Sequence, residues 1–503
     1  MRPPGSGYRG VTTAQRSAAG AHRVEGDRTM SLSTEGSTLV DEHGRQRILH
    51  GINLVAKGSP GATEPSAFRG CWTGEDLAQL RDIGLDSVRL GVNWAATEPR
   101  PGEYSPQHLD WLAQQLDLLH DAGCAVILDG HQDLFSQSFG NGAPAWATLT
   151  AQRFEATELW SDAYLSSPAV HEAYDAFWAD APAGDGVGIR TRFVAMWGML
   201  SQRFGSHPAV IGYDVLNEPT PGSAAPQLFG AIIHVVAELT GQAPEQVMAD
   251  FADPAAKLSQ LAQLEDPSLH RTLGDRIAPM LAEFEQGPVH ALYTAAARAI
   301  READPRGLIL REHDYFGNIG IPASIPPLED AAWAYSPHGY DLVVDTAAMP
   351  QASDTRVTTI FERAAETGEG LGVPVIVGEW GAFGTHEGIA RHADAQLELF
   401  DARAWSWFYW CWEPGFAATE AAARLRRPRP RAVAGRDLRA GTSAGGGWRA
   451  AWTGIDCDAP SEFWIPPERE VEHLVDGRRQ ELRREQATVL LAPGAGEHRL
   501  RVS

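Results

Sequence analysis

Residues 87–129 read SVRLGVNWAATEPRPGEYSPQHLDWLAQQLDLLHDAGCAVILD, and they contain a complete strand–helix–strand unit. The apolar run Ser87–Val92 is typical of a strand that is covered on both faces. Ser105 suits the N-cap of a helix and Pro106 suits its first position, and leucines then recur on one helical face. A second apolar run, Ala125–Asp129, follows directly. This order predicts two parallel strands joined by a helix.

The same alternation continues from about residue 48 to residue 416 and gives eight strand candidates. Eight consecutive strand–helix repeats predict an α/β fold, the closed (β/α)8 TIM barrel. An open doubly wound sheet is the alternative, although no G-x-G-x-x-G motif opens the first unit, as a dinucleotide-binding version would require. The eight candidates are Leu49–Asn53, Ser87–Val92, Ala125–Asp129, Val210–Leu216, Gly307–Arg311, Trp333–Ser336, Pro374–Gly378 and Ala404–Trp410.

Composition divides the chain into three parts. Residues 1–30 are rich in Gly, Ser, Thr and Arg, and we expect a disordered N-terminal extension there. Residues 31–422 hold the barrel, with long insertions after strand candidates three and four, at about 130–191 and 219–305. Both insertions would lie at the C-terminal face of the barrel, where active sites are built. Residues 423–503 contain short strand candidates broken by Pro and Gly, which predict a small C-terminal β domain.

The 503 residues carry a formal net charge of −23. Since a nucleic-acid-binding surface needs a basic stripe, this balance argues against nucleic acid as a partner, and it also disfavours simple docking on anionic lipid. The four cysteines are scattered and form no C-x-x-C pair, which argues against a metal site or a disulfide framework.

The sequence also bears on membranes and location. No stretch reaches the length of a transmembrane helix, and we expect no stable membrane insertion. The first 30 residues lack the apolar run of a signal peptide, so we expect a cytoplasmic protein. A misassigned start site that omits a leader would make it a secreted one. The oligomeric state is left open.

Two glutamates each follow a predicted barrel strand at its C-terminal end. Glu218 lies in the run DVLNEP, Asp214–Pro219, whose final proline stops the strand. Glu379 lies in VGEWG, Val377–Gly381, where glycines on both sides leave room for a ligand. A lone glutamate at a strand end can equally be a structural ion-pair partner. Two such residues, both directed to one barrel mouth, favour a catalytic pair.

Cleavage of a glycosidic bond needs two carboxyl groups in different protonation states. One donates a proton to the leaving oxygen, and the other, ionised, attacks the anomeric carbon. A retaining enzyme holds the two groups about 5–5.5 Å apart. Although 161 residues separate Glu218 and Glu379 (379 − 218), strands four and seven both open on the barrel mouth. The two glutamates are therefore candidates for these two roles.

The pair and the order of the elements resemble glycoside hydrolase family 5, the cellulase-like barrel family, and within it the endoglycoceramidase branch. That branch cleaves the bond between the oligosaccharide and the ceramide of glycosphingolipids. The HQD element and the RPRPRAVAG stretch are more specific than NEP, which many sugar hydrolases share. The resemblance also implies a C-terminal β-sandwich. The matching stretches are Gly51–Asn53, Asp129–Asp133, Gly186–Ile189, Val210–Pro219, Ser336–Tyr340, Gly378–Gly381 and Arg427–Gly435.

The resemblance implies roles for residues around the pair. Glu218 would protonate the glycosidic oxygen and then activate water, while Glu379 would form the glycosyl–enzyme intermediate. Asn217 would hydrogen-bond the 2-hydroxyl of the sugar. Arg89, at the end of strand two, would hold Glu379 ionised, since a charge-assisted bond lowers the pKa of a carboxylate.

Further residues are assigned by the same resemblance. His338 and Tyr340 would orient the nucleophile and the leaving group, and Asp129 and His131 would bind sugar hydroxyls. His131 can also be a structural histidine or, with nearby acids, part of a zinc site, although no H-x-H occurs near the first strand.

The predicted sugar contacts are less specific. Trp412 would stack under the sugar at the cleavage point, or it simply packs at the barrel rim. Lys57 would contact the glycan, or it is a solvated surface residue. The chain departs from the branch at Thr220 and at Arg311–Gly317 (REHDYFG), which puts the glycan preference in doubt. Tyr315 would add an aromatic contact there.

These observations predict a two-domain retaining glycosidase that needs no metal and no organic cofactor. The expected partner is a glycolipid or oligosaccharide substrate, and the favoured reaction releases the glycan from the ceramide of a glycosphingolipid. One alternative is a β-glucosidase or endo-β-glucanase of the same family, with the same chemistry and a different aglycone site. A second alternative is a non-catalytic carbohydrate-binding barrel, against which the presence of both carboxylates with Asn217 and Arg89 speaks.

Overall fold

The structure is a computed structural model that describes residues 30–443 and 446–503, without the side chains of residues 254 and 255. The predicted N-terminal extension lies outside the described residues except for Met30. The described residues contain three β-sheets, a parallel barrel sheet and two antiparallel sheets.

Three short strands precede the barrel: β1 (Leu32–Glu35), β2 (Thr38–Asp41) and β3 (Gln46–Arg47). The predicted domain boundary assigned them to the barrel, but β3 pairs antiparallel with Arg429–Val433 of the C-terminal part. Their inward side chains, which include Leu32 and Leu39, pack against the interior end of the barrel. The hairpin therefore joins the two parts of the chain, and the pattern of a strand cannot show which sheet it will join.

The predicted barrel is confirmed. All eight strand candidates are present in one parallel sheet, to which a two-residue strand adds a ninth member. The sheet order is β10-β11-β12-β4-β5-β6-β7-β8-β9, and a bridge between Tyr335 and Val375 joins its two ends. This closure excludes the open doubly wound sheet. The strands are β4 (His50–Leu54), β5 (Ser87–Gly91), β6 (Ala125–Asp129), β7 (Val210–Asp214), β8 (Leu308–Arg311), β9 (Trp333–Tyr335), β10 (His338–Gly339), β11 (Ile376–Gly381) and β12 (Ser406–Trp410).

Helices surround the barrel and fill both insertions. As predicted, Ser105 caps its helix by accepting a hydrogen bond from the His108 backbone amide at 3.3 Å. The first insertion holds α4 and α5 and the second holds α7 to α10. The helices are α1 (Gly74–Asp82), α2 (Trp94–Thr97), α3 (Pro106–Asp121), α4 (Ala163–Ser166), α5 (Pro168–Trp178), α6 (Ile189–Phe204), α7 (Ala225–Thr240), α8 (Pro244–Phe251), α9 (Pro254–Gln263), α10 (Pro267–Phe284), α11 (His290–Arg301), α12 (Asp354–Leu371), α13 (Ala390–Arg403) and α14 (Glu420–Leu425).

One helical stretch of the second insertion, Gly222–Thr240, is long and apolar enough by length and composition to cross a membrane. The expectation that no stretch would meet that test is therefore wrong. Only 44% of the stretch is buried, and its side chains Phe229, Ile232 and Val236 face a cavity at the barrel mouth.

The C-terminal part is a β-sandwich, as the family resemblance implied. Its two sheets run β1-β2-β3-β13-β16-β20-β19 and β14-β15-β21-β17-β18, and they enclose a core that contains Trp448, Trp452 and Phe463. The strands are β13 (Arg429–Val433), β14 (Gly435–Thr442), β15 (Trp448–Gly454), β16 (Ser461–Trp464), β17 (Val471–Val475), β18 (Arg478–Arg479), β19 (Arg483–Glu485), β20 (Thr488–Leu491) and β21 (Gly496–Val502).

The sandwich packs against the loops at the N-terminal end of the barrel, opposite the mouth. At Gly84, just after α1, the backbone has φ +91°, and a Cβ built there would lie 2.5 Å from the ring of Trp464. At Gly123, just after α3, φ is +72°, and the nearest atom to a built Cβ is the Arg81 guanidinium at 3.6 Å. The two glycines share a left-handed backbone, but only Gly84 makes an interdomain contact.

This difference yields a stability prediction. Gly123→Ala should lower the free energy of unfolding by about 1 kcal/mol, because the alanine is strained at positive φ. Gly84→Ala should lower it by a further 1–3 kcal/mol, because the methyl group overpacks the interface with Trp464. Urea unfolding of both variants measures the difference. Equal losses would show that the sandwich does not pack tightly at this point.

Candidate active site

One arginine organises the floor of the barrel mouth. Arg89 lies on β5, is fully buried, and donates hydrogen bonds of 2.7–3.0 Å to six side chains. Burial alone would lower the pKa of Arg89, but the surrounding carboxylates raise it well above its ordinary value. The six acceptors come from five barrel strands or the loops that follow them, and they are Asn53, Asp129, Asp214, Asn217, Glu312 and Glu379.

The structure brings the two predicted catalytic glutamates together. A carboxylate oxygen of Glu218, one of Glu379 and a ring nitrogen of His338 all lie within 4.8 Å of one another. Retaining glycosidases hold their carboxyl groups about 5–5.5 Å apart, whereas inverting ones need about 6.5–9.5 Å. The spacing therefore fits the retaining arrangement.

Glu379 is held at both oxygens. Arg89 Nη1 donates to its Oε1 at 2.7 Å, and the Tyr340 hydroxyl donates to its Oε2 at 2.6 Å. A charge-assisted bond at one oxygen and a hydroxyl at the other stabilise the ionised carboxylate and fix its plane. Both predicted residues, Arg89 and Tyr340, therefore contact Glu379 directly.

Glu218 has an unusual backbone. Its φ is +45°, a left-handed conformation that costs a non-glycine residue about 1–3 kcal/mol. Its amide donates to Glu312 Oε2 at 2.7 Å, which holds this conformation. Its Oε1 accepts a bond from Asn318 Nδ2 at 2.6 Å and lies 3.0 Å from His338 Nδ1. The side chain is thereby directed into the barrel mouth.

The pKa values of the two buried glutamates are shifted in opposite directions. Burial raises the pKa of Glu379 to about 7, against the lowering effect of His338 and Arg89. Burial would also raise the pKa of Glu218, but hydrogen bonds from His338 and Asn318 hold it below its usual value. The pKa of His338 is raised well above its ordinary value, because Glu312, Glu379 and Glu218 outweigh its burial. In the ligand-free site, Glu379 is thus the stronger proton holder of the two glutamates.

Two groups of three side chains have the donor atoms of a metal site: Asp214, Glu312 and His338, and Glu218, His338 and Glu379. Carboxylates of both groups already accept bonds from Arg89. The guanidinium thus supplies the positive charge that a cation would bring, and a cation would have to compete with it for these oxygens.

A cavity of about 670 Å³ opens above the pair and has two unlike halves. The half beside Glu379 is polar and aromatic. There Lys57 Nζ lies 2.8 Å from Asp133 Oδ2 and 4.6 Å from the ring centroid of Trp410. The half beside Glu218 is apolar and is built by both insertions and the segment after β8, with Leu165, Phe229, Ile232, Val236, Phe251, Leu261, Leu264, Leu273, Ile319 and Ile321.

Most of the predicted site residues meet at this cavity. Lys57, Asn217, Tyr315 and Tyr340 line it together with the catalytic pair. His131 lies behind the wall, where its ring stacks on Trp410 at 5.1 Å. His338, another predicted site residue, is fully buried and lies beneath the cavity.

Two predictions need correction. Asp129 was expected to bind sugar, but it does not line the cavity, because its oxygens are bonded to Arg89 at 2.8 Å and to His131 at 2.9 Å. Trp412 was expected to stack under the sugar, but it packs edge-on against Trp72, with 5.9 Å between ring centroids. The tryptophan on the cavity wall is Trp410, two residues earlier, because it is the last residue of β12 and still points into the barrel mouth.

Other residues were missed by the sequence analysis. Glu312 follows β8 and belongs to the buried network, although its segment was considered only for its effect on glycan preference. The rule that found Glu218 and Glu379, an acid at a barrel strand end, would have found it too. Asn318 carries no such signal, since it reaches Glu218 from a 3-10 turn.

The glycine beside Glu379 also has another purpose than predicted. A Cβ built at Gly378 would lie 2.6 Å from His338 Nε2 and 2.8 Å from Ser336 Oγ. Gly378 therefore makes room for the histidine that supports the pair rather than for a ligand.

A barrel with paired carboxylates at its mouth is the architecture of the barrel glycoside hydrolases. Residues 55–415 match the family described as Cellulase (glycosyl hydrolase family 5), and the chain belongs to this family. This confirms the family that the motifs suggested.

Two curated relatives and one solved structure show which members of the family the chain is similar to. The chain is 33% identical over 194 residues to Endoglycoceramidase I of Rhodococcus hoagii (strain 103S), which is 38% of each chain. It is 28% identical over 222 residues to an Endoglycoceramidase of Hydra vulgaris, which is 39% of this chain and 42% of that one. These matches span about two fifths of the relatives' lengths. A structure of endo-glycoceramidase II from Rhodococcus sp. in a cellobiose-like imidazole complex aligns with a TM-score of 0.70 and 26% identity, covering 93% of this chain and 99% of that one.

The raised pKa of Glu379 predicts a pH-dependent stability. The folded protein holds a proton on Glu379 up to a pH of about 7, whereas the unfolded chain releases it near pH 4.5, so this group's contribution falls as the pH rises between the two. Glu379→Gln removes that loss because the amide does not ionise. The melting temperature of the variant minus that of the wild type should therefore increase from pH 5 to pH 8.

Thermal unfolding at each pH measures this effect, with Glu369→Gln on the exposed end of α12 as the control for a lost surface charge. A difference that stays constant across the pH range would show that Glu379 is not a buried proton holder.

Proposed function

We propose that this protein is a retaining glycoside hydrolase of glycolipids, which releases the glycan from the ceramide of glycosphingolipids. The observation that carries the proposal is the position of Glu218 and Glu379 at the border between a polar and an apolar half of one cavity. A glycolipid has the same division at its glycosidic bond. The relatives named endoglycoceramidase support the same substrate class.

In the first step, a carboxylate oxygen of Glu379 attacks the anomeric carbon and the bond to the leaving oxygen breaks. Glu218 gives its proton to that oxygen, so the lipid leaves as a neutral alcohol. Substrate binding favours the protonated form of Glu218, because the glycosidic oxygen accepts a hydrogen bond from it, while Arg89 and Tyr340 stabilise Glu379 as the anion.

In the second step, water replaces the lipid alcohol. Glu218, now ionised, takes a proton from the water, whose oxygen attacks the anomeric carbon and releases Glu379 as the carboxylate. The glycan leaves with retained configuration, and Glu218 is again protonated. His338 Nδ1 lies 3.0 Å from Glu218 Oε1 and 3.6 Å from Glu379 Oε2. It can therefore stabilise the negative charge on whichever glutamate is ionised.

The polar half of the cavity provides the sugar contacts. The Lys57 ammonium donates to hydroxyl oxygens, the Asp133 carboxylate accepts from hydroxyl groups, and the Trp410 ring offers an apolar face to the sugar ring. His131 Nε2 is buried without a hydrogen-bond partner in the described part of the chain, and it adds a further polar atom behind Trp410.

The apolar half provides the lipid contacts. Hydrocarbon chains gain about 0.8 kcal/mol for each methylene that leaves water, and this half offers walls from several helices. A β-glucosidase or endo-β-glucanase is the second candidate, because the chain belongs to the cellulase family. Such an enzyme would extend its sugar-binding surface beyond Glu218, where this protein has aliphatic and aromatic side chains instead.

Incubation with a panel of glycosphingolipids and of soluble β-glucans separates the candidates. Intact ceramide plus free glycan in the mass spectrum supports the proposal. Products from glucans alone would make the protein a β-glucanase, and no product from any glycoside would indicate a sugar-binding barrel.

The assigned roles predict two different losses. Glu379→Ala should reduce kcat by at least about 10⁴-fold on every substrate, because no nucleophile remains. Glu218→Ala should slow substrates with poor leaving groups by about 10²–10⁴-fold and aryl glycosides with good leaving groups by less than about tenfold. Steady-state kinetics on aryl glycosides of graded leaving-group pKa measures this. A loss that does not depend on the leaving group would overturn the acid/base assignment.

The lipid site predicts a selective effect. Phe251→Ala removes a ring from the apolar half, which should cost about 2 kcal/mol of binding, or about thirtyfold in kcat/KM for a glycosphingolipid. Hydrolysis of a nitrophenyl glycoside should change less than twofold. Met280→Ala, at an exposed apolar side chain that does not line the cavity, is the matched control. Equal losses on both substrates would place Phe251 outside the lipid site.

A further inference from the structure

A hydrogen bond joins two loops across the mouth of the cavity. Trp160 Nε1 donates to Asp345 Oδ2 at 2.9 Å. Trp160 lies in the insertion after β6, the third barrel strand, and Asp345 lies in the loop after β9 and β10, which form the sixth. Both residues line the cavity that holds the catalytic pair. We call this contact the strap.

The order of strands in the closed sheet shows what the strap divides. A line from the third to the sixth barrel strand leaves β7 and β8 on one side and β11, β12, β4 and β5 on the other. Glu218 follows β7 and Glu379 lies on β11, so the acid and the nucleophile are on opposite sides of that line. The strap thus joins loops whose strands separate the strand of the acid from that of the nucleophile.

The two sides also differ in chemistry. Lys57 and Trp410, which follow β4 and end β12, are on the side of Glu379. Phe229, Phe251 and the other apolar residues of the second insertion are on the side of Glu218. A bound glycolipid would thus run beneath the strap, with its glycan on one side and its lipid on the other.

The strap is built from residues that pack little elsewhere. Trp160 is 37% exposed and is the exposed tryptophan among the described residues. Apart from the strap, its indole meets Tyr164 edge-on at 6.1 Å and lies 5.9 Å from Lys57 Nζ. Asp345 has a left-handed backbone with φ +59°, which a non-glycine residue adopts at a cost. A single hydrogen bond between two such residues can open without disturbing a core.

The geometry points to Trp160 and Asp345 as a specificity-determining pair that selects substrates by their bulk on the two sides of the cleaved bond. A substrate with one small end enters by passing that end beneath the closed strap. A substrate that is bulky at both ends, such as a long-glycan glycosphingolipid, enters only when the hydrogen bond has broken. The inference rests on the proposed glycosidase function, because the cleaved bond defines the two sides.

Trp160→Phe tests the inference, because it keeps an aromatic ring and removes the hydrogen bond. Four substrates combine a mono- or trisaccharide with a nitrophenyl or ceramide leaving group. The variant should raise kcat/KM about fivefold for the ceramide trisaccharide, as expected for one lost exposed hydrogen bond of about 1 kcal/mol, and change the other three less than twofold. Asp345→Ala should act likewise.

Two controls accompany these variants. Asp345→Asn retains an acceptor oxygen and should stay within twofold of the wild type on all four substrates. Trp178 lies in the same insertion as Trp160 but away from the cavity, and Trp178→Phe removes its 2.9 Å indole hydrogen bond to the Thr220 carbonyl. This variant too should show no selectivity. A uniform change across the four substrates, or a loss on the ceramide trisaccharide, would overturn the role of the strap.

Hydrogen exchange separates failure of the strap from failure of the proposed function. Cleavage of aryl glycosides without cleavage of either ceramide substrate would reject the glycolipid function. In that case, peptides covering residues 157–166 and 341–348 should still exchange faster in Trp160→Phe than in the wild type and in Trp178→Phe. Unchanged exchange in both peptides would show that the strap does not hold the two loops together.

Discussion

A single guanidinium surrounded by four carboxylates is the interaction on which the rest of the site depends. Arg89 is fully buried, and its bonds reach side chains from strands all around the barrel. Removing one partner from a buried ion cluster leaves an uncompensated charge, which costs far more than a surface pair. The site therefore depends on closure of the barrel, since only closure brings these six partners to one point.

Burial sets the pKa values of the carboxyl groups around Arg89. It raises the pKa of Asp129 to about 6, that of Glu379 to about 7 and that of Glu312 well above its usual value, against the lowering effect of Arg89 and His338. Glu218 differs from these groups, because hydrogen bonds from His338 and Asn318 hold its pKa below the usual value.

The barrel positions the buried polar groups, and the insertions form the apolar wall of the cavity. Arg89 and Glu379 lie on strands, where the sheet fixes their positions, and Glu218 follows the end of β7 by four residues. The apolar half and the strap come from segments that lie outside the sheet. Glu218 and Asp345, at the border of these regions, both have a left-handed backbone. This conformation costs stability, and it directs each side chain into the cavity.

The sequence by itself determined the barrel, a C-terminal β domain and the candidate pair of glutamates, because strand period, helix caps and acids at strand ends are local patterns. Only the tertiary structure decided three other features. Trp410 rather than Trp412 lines the cavity, Asp129 bonds to Arg89 instead of facing the cavity, and β3 joins the sandwich sheet. Which way a residue near a strand end points depends on where pairing stops, and which sheet a short strand joins depends on the free edge that it meets. The strap between Trp160 and Asp345 joins residues 185 positions apart, and no local pattern marks either of them.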